Sequence, residues 1–174
     1  SKRSFNVINT IRPNASSMLT INEWKPPKRT ATLCDSKDTM WIKLRDCLKA
    51  GERCVVVSGS KKFAIHLVAN AIGEGLIEGE INQDGILEGS NAKLYHSGCP
   101  LDLSCKVNQE WSKCKLLCYS PTITCGVSYD NPDALFDRLF VYMPNKFSAC
   151  FRDATQALKR VRHFTQSEIF VCLN

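Results

Sequence analysis

Two apolar rhythms alternate along this chain. Short unbroken runs, such as Val55-Val-Val, Leu116-Leu-Cys-Tyr and Leu139-Phe-Val-Tyr, read as buried strands over Arg53–Ser58, Lys115–Tyr119 and Arg138–Tyr142. Ala92–Tyr95 and Glu168–Leu173 read the same way. Between them, apolar residues return every three or four positions, the helical spacing. Lys37–Ala50 carries Trp41, Leu44, Cys47 and Leu48 on one face, with Asp35 or Ser36 as cap and Gly51 as terminator. Lys61–Gly73 carries Phe63, Leu67 and Ala71. Asp102–Trp111 reads as a third helix, and Ser148–His163 as a fourth with Ala149, Ala157, Leu158 and Val161 inward. Strand and helix in alternation predict an α/β domain with a mostly parallel sheet covered on both faces. Ligands of such sheets bind beyond the carboxyl ends of the strands.

Two stretches break the rhythm. Phe5–Ile11 is strand-like, but Arg12-Pro-Asn and Lys25-Pro-Pro-Lys read as turns or linker. Residues 1–34 therefore read as linker and edge strands arriving from an upstream domain, and 35–174 as the domain proper. Gly73–Asn91 is polar and broken by glycine, and reads as a hairpin or surface loop inserted in the domain.

A length of 174 residues supports about one domain and a core that needs no disulfides. Apolar residues at 44% and charged residues at 23% exclude a disordered chain. No apolar run is long enough to span a membrane, and the first residues hold no secretory signal core. The chain starts without an initiator Met, as a piece of a longer protein would.

The net charge of +6 is uneven. Glu74, Glu78, Glu80, Asp84 and Glu88 fall in Gly73–Asn91, which has no Lys or Arg; the rest carries +11. A basic body suits a polyanionic partner such as nucleic acid, or simple solubility. Ten cysteines contain no Cys-x-x-Cys, and Cys114-x-x-x-Cys118 is a poor match to a zinc site. Reduced thiols of an intracellular protein are the expected state. Three histidines beside ten cysteines give no recognisable Cys-His hydrolase arrangement.

The glycine-rich phosphate loop ending in Gly-Lys-Ser/Thr is absent, and so is an acidic pair after a strand for magnesium. The strand ends carry different chemistry: Ser58-Gly-Ser-Lys, His96-Ser97, and Ser120-Pro-Thr-Ile-Thr-Cys-Gly-Val-Ser-Tyr-Asp130. Hydroxyls and free amides at strand ends suit phosphate contacts, or a turn that satisfies itself. Gln156-Ala-Leu-Lys-Arg-Val-Arg162 places two arginines at a helix end. There they could meet a γ-phosphate or simply complement the helix dipole.

Taken in order, these segments resemble the second RecA-like domain of superfamily 2 helicases, over about Lys37–Asn174. The branch is the origin-binding-protein type of herpesviruses and other large DNA viruses, in which some relatives are fused to a primase. The resemblance implies a replication helicase driven by ATP with Mg2+, both held mainly by an upstream RecA-like domain, so that this chain alone lacks ATPase activity. It implies that Gln156, Arg160 and Arg162 act at the nucleotide, with Arg160, Arg162 or both as the finger. Gly126 and Asp130 match the motif that couples nucleotide to nucleic acid, and Ser58, Ser60, Lys61, His96, Ser97, Thr122 and Thr124 match the strand track. The chain departs from the pattern at Lys159, where a glycine is usual, at His163, where the broader superfamily has its second arginine, and at Ser128, where it has an acid. Expected partners are single-stranded or forked DNA, the upstream domain, and primase or other replication proteins, with no membrane. The alternative is a non-catalytic nucleic-acid or protein-binding module on the same fold, with Gly73–Asn91 meeting the partner; a zinc-stabilised domain is a weaker third.

Overall fold

The computed structural model of the chain describes residues 29–89, 91–99, 107–123, 127–145 and 151–173. The strand-like Phe5–Ile11 lies outside them. Six strands build the main sheet: β1 (Thr30–Cys34), β2 (Cys54–Ser58), β5 (Ala92–Tyr95), β6 (Leu116–Tyr119), β7 (Arg138–Met143) and β8 (Glu168–Leu173). All of its pairings are parallel, in the order β1-β8-β7-β2-β6-β5. β3 (Glu80–Ile81) and β4 (Leu87–Glu88) make a separate antiparallel hairpin.

The strand alternation sorts side chains to two faces. On one, Cys54, Val56, Cys118 and Phe140 pack under α1 (Lys37–Lys49) and α2 (Lys61–Gly73). On the other, Val55, Val57, Leu117 and Val141 pack under α3 (Val107–Trp111) and α4 (Phe151–Leu158). β2 is central and covered twice, which is why all five of its residues are buried. The fold is the expected α/β RecA-like sheet.

Ser36 caps α1 by accepting the Thr39 N–H at 3.1 Å, and Gly51 leaves it at φ +82°. The buried seam of α1 is Met40, Leu44 and Leu48, whereas Trp41 and Cys47 are only partly covered. The seam is rotated by one position from the predicted face. α2 matches its predicted bounds, with Phe63, Leu67 and Ala71 buried.

α4 is a correction. The predicted helix ran to His163, but the observed one ends at Leu158. Lys159 and Arg160 donate to Gln156 and Ala157, three residues back, at 3.1 and 3.2 Å, which tightens and stops the turn. Val161 then bridges to Tyr129 as an extended segment. Arg160 and Arg162 therefore leave the helix and flank Val161 in extended chain. Of the predicted Asp102–Trp111 helix the structure describes Val107–Trp111; residues 102–106 and 148–150 lie outside the described residues.

Gly73–Asn91 forms the β3–β4 hairpin, and it is docked rather than free: Leu76 and Ile77 are buried in the α1–α2 core, and Ile81 and Leu87 pack against it. At the opposite end of the sheet, Arg53 gathers the chain. Its guanidinium donates to the carbonyls of Trp111, Ser112, Cys114 and Leu135 at 2.8–2.9 Å. The seven cysteines among the described residues are free thiols. Burial pushes the Cys118 thiol up to about 12.

Candidate functional site

The register puts Val57 beside Tyr119 and Tyr119 beside Tyr95, so the turns after β2, β6 and β5 stand in a row at the carboxyl edge. The Ser58 hydroxyl donates to the Ser60 carbonyl at 2.9 Å and receives the Ser60 N–H at 3.2 Å, closing a tight turn. Gly59 N–H pins that turn to the Tyr142 carbonyl at 2.7 Å. Ser60 then caps α2 by accepting the Phe63 N–H at 3.3 Å. Lys61 and Lys62 come next, both exposed. In the neighbouring loop, a Cβ built on Gly98 would lie 3.1 Å from the Lys61 ammonium, so the two turns meet at that charge. After β6, the Ser120 and Thr122 hydroxyls bond to each other, and Ser120 N–H donates to the Tyr95 carbonyl at 2.9 Å.

Of the track residues named from sequence, Ser60, Lys61, Ser97 and Thr122 reach solvent. Ser58 and His96 are fully buried and shape the turns from within. Thr124 lies outside the described residues. Two cations at this edge are absent from the sequence-based set: Lys62, and Lys37, whose ammonium sits 5.2 Å above the Tyr142 ring. Lys62 had a signal, since two lysines in a first helical turn oppose the helix dipole.

A second cluster joins the segment after β6 to the segment after α4. Tyr129 N–H donates to the Arg160 carbonyl at 2.7 Å and Arg162 N–H to the Tyr129 carbonyl at 3.2 Å. This pairing brings the side chains together. Arg160 Nη1 donates to the Val127 carbonyl at 3.0 Å. Arg162 Nε donates to the Ser128 hydroxyl at 2.7 Å, and its Nη1 stands 3.8 Å from Asp130. His163 Nε2 lies 2.8 Å from the other Asp130 oxygen. Asn108 receives the Asp130 N–H on its side-chain oxygen at 3.2 Å, a contact without any sequence signal.

The two arginines are not equivalent. Arg160 is partly buried against the turn, whereas the Arg162 side chain is 57% exposed. Gln156 is partly buried on α4, and Gly126 lies outside the described residues. Beneath this cluster the buried Trp111 ring meets Tyr95, Tyr119 and Tyr129, and Tyr129 meets Phe136, with centroids 5.5–6.1 Å apart. Tyr119 donates to the Ala157 carbonyl at 2.8 Å, tying α4 to the sheet, and burial raises its phenol. Among the described residues no group of three or more His, Cys, Asp or Glu could hold a metal ion.

The family described as "Origin of replication binding protein" matches residues 17–174. The chain belongs to that family. A protein of Acanthamoeba polyphaga mimivirus that carries the name of a replication origin-binding protein is 34% identical over 64 residues, which is 36% of this chain and 8% of the relative. Among solved structures, S. cerevisiae Dbp5 bound to RNA and ADP BeF3 matches with a TM-score of 0.51 at 11% identity, over 100% of this chain and 42% of that one. A Dbp5 L327V structure matches equally. The structural likenesses show the fold of this origin-binding-family chain, whose match covers 8% of the mimivirus protein and 42% of the Dbp5 chain. Among the described residues no helix is long and apolar enough to cross a membrane.

Proposed function

We propose that this chain is the second RecA-like domain of an ATP-dependent DNA helicase that acts in viral genome replication inside the host cell. The observation that carries the reading is the arginine pair. Arg160 and Arg162 arise in one segment and are both fastened to residues 127–130 of another, which ends in the acid of the coupling motif. Arg160 is the positioning member, since its guanidinium holds the Val127 carbonyl. Arg162 is the exposed member, and Ser128 and Asp130 orient its fork. Such an arginine stabilises charge that develops on a γ-phosphate. ATP, with Mg2+, supplies that phosphate from an upstream RecA-like domain, because this sequence has no phosphate loop. Primase or other replication proteins are further partners under this reading. The nucleotide half of the reading is tested by Arg162→Ala in the whole protein, which separates hydrolysis from strand binding.

The strand-end row supplies the nucleic-acid face: Ser60, Lys61, Ser97 and Thr122 offer hydroxyls, amides and charge to a phosphate backbone. The first turn of α2 holds Lys61 and Lys62 and no acid. Cations there cost helix stability, about 0.3–1 kcal/mol each. Replacing both by Glu should therefore raise the melting temperature by about 2–6 °C. The same variant should weaken single-strand binding and lower its salt slope by about 0.7 per lysine. Melting curves and salt titrations of a labelled oligonucleotide check both signs. Unchanged affinity and slope would remove this face from the reading.

A further inference from the structure

The acidic hairpin meets the strand-end row at one buried side chain. His96 comes directly after β5 and is fully buried. Its Nδ1 receives the Gly98 N–H at 3.1 Å, so that nitrogen carries no proton. The neutral ring then bears its proton on Nε2, which donates to the Gly85 carbonyl at 2.8 Å. Gly85 is in the turn of the β3–β4 hairpin at φ +80°, and a Cβ there would lie 2.6 Å from Ile65 Cδ1. The positive φ favours glycine there, and any Cβ would have to push the end of the Ile65 side chain aside. Asn82 stiffens the turn, its side-chain oxygen accepting the Asp84 and Ile86 N–H groups at 3.0 Å. Its amide donates to Glu88 at 3.0 Å. On the other side of the imidazole, Gly98 abuts Lys61. Cys99 N–H also returns to the His96 carbonyl at 2.9 Å.

We propose that His96 is a positioning residue: with one ring nitrogen on Gly85 and the other on Gly98, it couples the acidic hairpin to the Ser97–Cys99 loop, so that displacing the hairpin displaces the loop beside Lys61. The consequence for strand binding rests on the proposed function; the coupling itself does not.

The test uses the whole protein. Gly85→Ala strains the positive-φ turn and presses its Cβ on Ile65 and on His96 Nε2, 3.4 Å away, while residues 97–99 keep their own side chains. Amide hydrogen exchange at Gly98 and Cys99 should then rise by about tenfold. His96→Asn keeps an acceptor near the Nδ1 position and loses the donor to Gly85; His96→Gln does the reverse. His96→Asn should speed exchange at Gly85 and Ile86, and His96→Gln at Gly98. All three variants should weaken binding of a fluorescein-labelled oligothymidylate by about three- to tenfold, in line with one lost hydrogen bond. A purely structural histidine would lower the melting temperature in these variants and leave strand affinity unchanged. Unaltered exchange at Gly98 and Cys99 in Gly85→Ala overturns the coupling, and unchanged affinity in a protein whose strand binding depends on Lys61 and Lys62 overturns its consequence. Should the His96 variants fail to fold, Gly85→Ala decides alone. If wild-type strand binding does not depend on Lys61 and Lys62, the proposed function fails, while the exchange comparison still decides the coupling.

Discussion

Arg162→Ala in the whole protein should lower ATP turnover by about 10²- to 10³-fold, while single-strand affinity stays within about threefold. The size comes from where the charge acts. A guanidinium beside a phosphoryl group in transfer stabilises charge present mainly in the transition state, so its loss falls on kcat rather than on binding. A loss of that size is about 2.7–4 kcal/mol of barrier. Arg162→Lys should recover little, because a lysine ammonium cannot reproduce the planar fork that Ser128 and Asp130 orient. Arg160→Ala should behave differently. Its guanidinium holds the Val127 carbonyl, so its loss should lower hydrolysis and melting temperature together. Steady-state ATPase assays beside oligonucleotide titrations separate the cases. Wild-type turnover in Arg162→Ala would sink the assignment.

Arg53→Ala should be the most destabilising single change away from that cluster, at about 3–5 kcal/mol. The side chain does three jobs at once. It donates to the Ser112 carbonyl where α3 ends and adds a second donor to the Trp111 carbonyl, which also accepts the Cys114 N–H at 3.1 Å. It bonds the Cys114 and Leu135 carbonyls at the entries to β6 and β7, the two strands that flank β2. It also lies 4.6 Å over the Phe136 ring. Removal leaves several carbonyls without their donors. The melting temperature should fall by about 10 °C. Arg53→Lys should rescue less than half of this, since a single ammonium cannot reach the four carbonyls that the guanidinium's three nitrogens serve. Calorimetry on the two variants settles it, and a drop of less than about 2 °C in Arg53→Ala would mean that water replaces the guanidinium.

Strands were legible because burial on both faces demands unbroken apolar runs, as at Val55–Val57 and Leu116–Tyr119. α2 was legible through its period and its Ser60 cap. The end of α4 was not, because Val161 keeps the helical spacing in sequence while its partner, Tyr129, lies thirty-two residues away. The strand-end residues were legible as chemistry but not as geometry. Nothing local separates Ser58 and His96, which hold turns from inside, from Ser60 and Ser97, which face outward. Arg53 gave no signal, since its partners are all backbone carbonyls, which no side-chain pattern reveals. The glycines of Gly73–Asn91 read equally as a hairpin or a surface loop, and the hairpin's seat on His96 depends on a contact between chain segments.

The sheet order also dictates how the chain must be made. β2 is the central strand and pairs with β6 and β7, residues 116–119 and 138–143. About sixty residues must emerge before β2 finds its first partner. At ribosomal speeds that wait is about 3–12 s, with a strand built on Val55–Val57 unpaired. β1 waits longer still, since its partner β8 is the final strand. In the main sheet every pairing is parallel and none is a hairpin, so no local nucleus can form early there. Synthesis of this chain therefore places an early demand on chaperones, and codon-level pauses between residues 58 and 116 should raise aggregation more than pauses elsewhere.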